Sequence, residues 1–191
     1  LANLYELHDK SKFELFAFSF GPEKKDEMYY RISAAFDQFI DVRLKSDDEI
    51  MKLSRELKID VAIDLMTFTQ HHRFEIFTKR CAPIQINYLA YPGTSGASCF
   101  DYIIADKTLI PEKNQKYYSE KIIYLPDTYQ VNDLKKKISD KVFTRNELNL
   151  PKDSFVFCCF NFSAKINPEI FDIWMNLLKK INNNVLWILP Q

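Results

Sequence analysis

The sequence predicts an α/β chain with mainly parallel sheets, and three observations carry that prediction. Short apolar runs alternate with helical patterns along all 191 residues. The helical patterns carry recognisable start signals, Ser46-x-x-Glu49 and Asn167-Pro168. Strand 155–160, the helix opened by Asn167-Pro168 and strand 185–189 complete a βαβ unit.

The elements follow in order. Leu1, Leu4, Tyr5 and Leu7 begin a helical pattern with no N-cap. Residues 13–20 are apolar and strand-like and stop at Gly21-Pro22. Residues 24–36 read as a helix and 39–42 as a short strand. Ser46-x-x-Glu49 is a capping box opening a helix with Ile50, Leu53 and Leu57 on one face. Residues 61–66 form an apolar run interrupted by Asp64, and a helix over 73–80 follows. From Ile84 apolar residues alternate with polar ones, Ile84, Ile86 and Tyr88 against Gln85 and Asn87, at the period of a strand. Residues 102–105 and 121–125 are two further strands. Residues 132–153 are polar, with Lys135-Lys136-Lys137 and a capped turn, Thr144-x-x-Glu147. The lysine run reads as the solvated face of a linker. Beyond it, strand 155–160, a helix led by Asn167-Pro168 and strand 185–189 make a βαβ unit. The expected organisation is a first lobe over 1–131, a linker over 132–153 and the start of a second lobe over 154–191. Both ends read as cut, so the chain is expected to be a fragment of a longer protein.

Composition narrows the function. Hydrophobic residues make up 47% and charged residues 27%, the balance of a folded chain. The formal net charge is zero, which gives no support to a nucleic-acid or anionic-membrane partner. No apolar run is long enough for a membrane span and no secretory signal leads the fold, so a cytoplasmic protein is expected. Cys81, Cys99, Cys158 and Cys159 form no C-x-x-C pair and read as buried, reduced thiols, with Cys158 and Cys159 on opposite strand faces. There is no dinucleotide fingerprint, P-loop, nucleophile elbow, H-E-x-x-H or D-x-D.

Parallel sheets bind ligands beyond the carboxyl ends of their strands, which selects the loops 67–72, 90–98 and 161–167. Two of the chain's 3 glycines lie in Pro92-Gly93-Thr94-Ser95-Gly96. Glycine lets backbone approach a ligand closely, so a binding loop is expected there. Lys165 stands two residues before the Asn167-Pro168 helix start. It reads either as a surface lysine or as an anion site, where its charge joins the helix dipole and free N–H groups. His71-His72 can supply a base or acceptor contact, or simply lead a polar loop into a helix. Asp64 either orients the neighbouring loop or satisfies backbone N–H groups.

Taken together, five stretches resemble the catalytic region of the O-linked N-acetylglucosamine transferases, the bacterial and SPINDLY-like members most. They are APIQINYLAYPGTSGAS, DYIIAD, YYSEKIIYLPDTYQ, FVFCCFNFSAKINPEIFDIWMNLLKKI and NVLWIL, in order along the chain. The resemblance implies a GT-B architecture, two Rossmann-like lobes with a cleft between them. This chain would hold the N-terminal lobe and the first βαβ of the C-terminal lobe. It implies inverting, metal-independent transfer of N-acetylglucosamine from UDP-N-acetylglucosamine to Ser or Thr hydroxyls of an acceptor protein. No cofactor is then required, since the nucleotide sugar is a substrate. Tetratricopeptide repeats are expected in the parent chain, and the fragment alone is expected to be inactive.

The resemblance places Lys165 on the family lysine that contacts the donor diphosphate, and Leu89, Ala90 and Pro92 on the loop against sugar and diphosphate. Asn161 would shape the second loop, and Thr69 and His71 would lie on the acceptor side. The sequence departs from the family at Ala90 and Thr67, where glycine is usual, at Ala164, where tyrosine is usual, and at Leu57-Lys58, where an acidic-glycine pair is common. Ala90 is expected to crowd the donor. A GDP-fucose donor, glucosylation of asparagine and a degenerate non-catalytic lobe are the alternative readings.

Overall fold

A computed structural model describes residues 1–22 and 24–189. The chain divides into two compact units, residues 1–136 and 137–191, with the break inside the polar stretch that begins at Asn132.

In the first unit, helix α1 (Ala2–Glu6) precedes strand β1 (Phe16–Ser19), helix α2 (Glu27–Ser33) and strand β2 (Gln38–Asp41). β1 and β2 pair in parallel, Phe16 opposite Gln38 and Ser19 opposite Asp41. Helix α3 (Asp47–Glu56) leads to β3 (Val61–Asp64), and helix α4 (Glu75–Thr78) leads to β4 (Ile84–Asn87). β5 (Tyr102–Ala105), a 3-10 turn (Glu112–Tyr117) and β6 (Lys121–Tyr124) complete the unit. β3, β4, β5 and β6 form a four-stranded sheet in chain order, every pair parallel.

Local chemistry explains these boundaries. Asp26 accepts the Tyr29 amide at 2.9 Å and starts α2 three residues inside the run read as helical. The capping box of α3 is complete: Glu49 Oε2 accepts from Ser46 N at 2.7 Å, and Ser46 Oγ accepts from Glu49 N at 3.3 Å. Asp47, Asp48 and Glu49 sit in its first turn, where the helix dipole favours negative charge. The buried face of α3, Ile50 and Met51, packs with Val42, Ile76, Phe77, Cys81, Cys99 and Phe100. A smaller cluster, Ile103, Ala105 and Ile110, lies under β5 and the chain that follows it.

Polar ties supplement this core. Arg31 forks to Glu6 at 2.7 Å and to Asp133 at 2.6 Å, and Lys135 reaches Glu6 at 2.8 Å. These ion pairs fasten the end of the unit to α1 and α2. They hold the Glu6 and Asp133 carboxyls down at about 2.

The second unit is a βαβ: strand β7 (Phe155–Cys159), helix α5 (Pro168–Lys180) and strand β8 (Asn184–Ile188). β7 and β8 pair in parallel over five positions, Phe155 opposite Asn184 through Cys159 opposite Ile188. Asn167 accepts the Ile170 amide at 2.8 Å, with Pro168 at the first helical position.

One expectation about burial is corrected. Cys81 and Cys99 are buried free thiols, but Cys158 is exposed and Cys159 half-buried. Strand β8, an apolar run in the sequence, is also only half-buried along residues 184–187. The reason is the same for both: within its unit the two-stranded sheet has only α5 to pack against.

Candidate functional site

The carboxyl ends of β3 and β4 bring two of the selected loops together. At the end of β3, Asp64 is buried and its Oδ1 accepts the Met66 amide at 2.9 Å. Its Oδ2 is buried without a partner. Burial pushes the Asp64 carboxyl above the ordinary aspartate value, and the amides of Met66 and Thr67 oppose that shift. Asp64 thus satisfies backbone N–H groups of the loop that follows it, the second of the two roles the sequence left open.

Thr67 is fully buried at φ 46°, in the left-handed region where a β-branched residue is strained. This is why glycine suits the position. Here the threonine hydroxyl offsets the strain, donating to Asn87 Oδ1 at 2.6 Å. Asn87, at the end of β4, is also fully buried, and its Nδ2 points toward the carbonyls of Tyr91 and Gly93 at 3.4 and 3.5 Å.

The two loops also touch through aromatic rings. Phe68 stacks on Phe74 at 5.0 Å and meets the edge of Tyr91 at 5.3 Å. Such pairs add specific geometry to apolar burial.

The loop after β4 turns sharply at Leu89, whose φ is 84°. Ala90 lies outside the positive-φ region and is exposed. Its methyl group therefore needs no unusual backbone. The left-handed position of this turn falls on Leu89. Pro92 is exposed, and the Tyr91 ring folds over Gly93, where an added Cβ would meet it at 3.0 Å. Gly96 has φ 66°, which glycine adopts without cost.

The hydroxyls of this loop do not face outward as free groups. Thr94 Oγ1 donates to Glu120 Oε2 at 2.7 Å, and Ser95 N donates to Glu120 Oε1 at 2.7 Å. Ser95 Oγ bonds the same Oε1. Tyr118 Oη reaches the Pro92 carbonyl at 3.2 Å. Burial pushes the Glu120 carboxyl up, but the hydrogen bonds from Ser95 and Thr94 outweigh it and leave it below the usual glutamate value.

On the same edge, Thr69 is half-buried and its hydroxyl donates to the Met66 carbonyl at 2.7 Å. His71 is exposed at φ 63°. Leu89, Ala90, Pro92, Thr69 and His71 therefore lie on two loops joined by Thr67–Asn87 and Phe68–Tyr91.

In the second unit the loop after β7 carries Asn161 and Lys165. Both are exposed. Lys165 closes a 3-10 turn (Ser163–Lys165), its amide bonded to the Phe162 carbonyl at 3.0 Å. Among the described residues its ammonium makes no ion pair. The turn delivers it beside the capped start of α5, which offers unpaired N–H groups and about half a positive charge.

Thr67, Asn87 and Glu120 are the residues that motif reading left without a role. Burial of a polar side chain was their signal, and burial is visible only in the fold.

The chain as a whole is similar to known proteins. The structure superposes on a lysine-to-methionine mutant of the Thermobaculum terrenum O-GlcNAc transferase with a TM-score of 0.81 and 28% identity, over 98% of this chain and 34% of that one. The fold is thus that of the GT-B glycosyltransferases, as the sequence predicted. The Glycosyl transferase family 41 profile matches residues 1–141 and 136–190, and the chain belongs to that family. It is 36% identical over 99% of its length to the probable UDP-N-acetylglucosamine--peptide N-acetylglucosaminyltransferase SEC of Arabidopsis thaliana. It is 26% identical over 94% of its length to the corresponding SPINDLY protein of the same plant. The chain spans 20% of each of these two relatives. Among the described residues, no helix is long and apolar enough to cross a membrane.

Proposed function

We propose that this chain serves the transfer of N-acetylglucosamine from UDP-N-acetylglucosamine to serine or threonine hydroxyls of an acceptor protein. In this reaction the acceptor oxygen attacks the sugar's C1 from the side opposite the diphosphate. The C1–O bond to the diphosphate breaks and its electron pair stays on the phosphate oxygen. The hydroxyl proton leaves to a base or to water. Inversion follows from the single displacement. The absence of a D-x-D motif supports chemistry without a metal.

Charge develops on the leaving diphosphate, so catalysis needs a preorganised positive group there. The observation that carries the reading is Lys165, an exposed ammonium without an ion pair among the described residues, beside a capped helix start in a family 41 chain. In this proposal Lys165 stabilises the diphosphate. Leu89, Ala90 and Pro92 form the wall against the sugar, and Asn161 shapes the loop before Lys165. Thr69 and His71 face the acceptor. The names of the relatives, which specify a UDP-N-acetylglucosamine donor and a peptide acceptor, support the substrate assignment.

The test is transfer by the full-length protein to an acceptor protein, with UDP-N-acetylglucosamine and GDP-fucose supplied in parallel and products read by mass spectrometry. N-acetylhexosamine on serine or threonine is expected. Transfer from GDP-fucose alone, or glycosylated asparagine, would replace this reading.

A further inference from the structure

One group in the first unit is costly and has no place in the reaction just described. Glu120 carries a carboxylate only 4% exposed. Burying a charge is expensive unless hydrogen bonds replace the lost water. Its bonds go predominantly to one short segment. Thr94 Oγ1 and Ser95 N each donate at 2.7 Å, and Ser95 Oγ bonds as well. Ser119 Oγ adds a fourth bond at 3.2 Å.

The bonding continues inside the loop. Gly96 N donates to Thr94 Oγ1 at 3.1 Å, and Ala97 N donates to Ser95 Oγ at 3.2 Å. Ser119 N donates to Thr94 Oγ1 at 3.2 Å. Each hydroxyl therefore takes an amide hydrogen and passes its own to Glu120. The backbone over 94–97 is fixed through these two relays to one carboxylate. On the other flank Asn87, itself held by Thr67, faces the Tyr91 and Gly93 carbonyls.

We propose that Glu120 is a positioning residue for the donor site: its carboxylate fixes the 92–96 loop in the conformation that receives the sugar of the nucleotide donor. This inference rests on the proposed function for the identity of the donor. The anchoring of the loop stands on the geometry alone. Glu120 touches no substrate and acts through the loop. A loop fixed before binding loses less entropy when the ligand arrives.

Glu120→Gln is the informative change. It keeps the shape but replaces one acceptor oxygen with an NH2 group. That group would face loop hydroxyls already accepting amide hydrogens, so at least one relay must break. In the full-length protein, amide exchange at Ser95, Gly96 and Ala97 is expected to speed up while exchange in β3 and β4 stays as in the wild type. The affinity for UDP-N-acetylglucosamine is expected to fall about tenfold, since small misplacements of positioning groups are expensive. Affinity for UDP, which lacks the sugar, is expected to fall less. Loss of stability alone would weaken both ligands equally.

Ser95→Ala, which removes one relay from the loop side, guards against a Glu120 variant that fails to fold. It is expected to act in the same direction, and less, because the Ser95 amide still reaches Glu120. Glu120→Asp, which keeps the charge, is expected to restore part of the affinity. The inference is overturned if the wild type binds UDP-N-acetylglucosamine and Glu120→Gln and Ser95→Ala match it in affinity and exchange. A wild type that binds no nucleotide sugar overturns the proposed function instead, and the exchange measurement still decides whether Glu120 anchors the loop.

Discussion

The loops after β4 and after β7 are both expected at the donor, yet they are built in opposite ways. The first is held from beneath by three buried polar residues, Thr67, Asn87 and Glu120, and its hydroxyls are spent on its own shape. The second presents Asn161 and Lys165 to solvent on a short 3-10 turn, with a single side-chain cap at Asn167 behind it. The units around them differ in the same sense. The first has a contiguous buried cluster running from Val42 to Phe100. Of residues 137–189 only Ser154 is buried. A wall that must hold a shape benefits from a dense polar and apolar support. A charge that must meet a phosphate benefits from being accessible and unpaired.

This contrast can be broken most severely in the two apolar layers. Ile50 is fully buried, and Ile50→Ala is expected to cost about 3 kcal/mol through lost burial and a residual cavity. Ile173 on α5 is 54% exposed, and Ile173→Ala is expected to cost less than about 1 kcal/mol in the 191-residue chain. Urea unfolding of both variants checks the pair, and equal losses would erase the distinction between the units.

Ser46 and Asn167 can be compared directly, since each side chain accepts one amide hydrogen at the start of its helix. Ser46→Ala and Asn167→Ala are each expected to cost about 1 kcal/mol, read from the same unfolding curves. At Thr67 the comparison is between two replacements that both delete the hydroxyl. Thr67→Gly should be more stable than Thr67→Ala by about 1 kcal/mol, because only alanine retains the left-handed penalty. A more stable alanine variant would contradict the φ of 46°.

The smallest effect concerns the Arg31 clasp. Glu6 and Asp133 sit at about 2 in the folded chain, against ordinary values of 4.5 and 3.8. On acidification the unfolded chain takes up protons first, so the clasp contributes fully above about pH 5 and is lost as pH falls toward about 2. Thermal midpoints of wild type and Arg31→Ala should therefore converge as pH drops through that window. A gap that stays constant with pH would show that the ion pairs to Glu6 and Asp133 do not account for the loss in Arg31→Ala.

Most of the fold was legible because local signals agreed with each other. The Ser46 capping box and the Asn167-Pro168 start each opened the helix they mark. The strand runs over 16–19, 61–64, 102–105 and 121–124 fell inside the apolar stretches that predicted them. The β4 alternation shows the limit. Ile86 and Tyr88 are buried as the alternation suggests, but Gln85 and Asn87 on the other face are fully buried too, and Ile84 is exposed. Gln85 satisfies itself on the Phe77 and Cys99 carbonyls and the Cys81 amide. These partners lie in the chain on either side of β4, and no periodicity announces them. Lys165 and the PGTSG loop stand out by residue type, but for Lys165 residue type leaves a surface lysine and an anion site open, and only the family resemblance selects the second. Glu120, one acidic residue before a strand, carries no such mark.

The division of labour between the two loops is tested most directly by measuring donor affinity and transfer rate in parallel for Glu120→Gln and Lys165→Ala. Lys165→Ala should lower the transfer rate by about 100-fold, as loss of a group that stabilises developing charge does, with a smaller loss of UDP-N-acetylglucosamine affinity. Glu120→Gln should weaken donor affinity more than it slows transfer at saturating donor. A Lys165→Ala variant that transfers at the wild-type rate, or a reversal of the two patterns, would contradict the account.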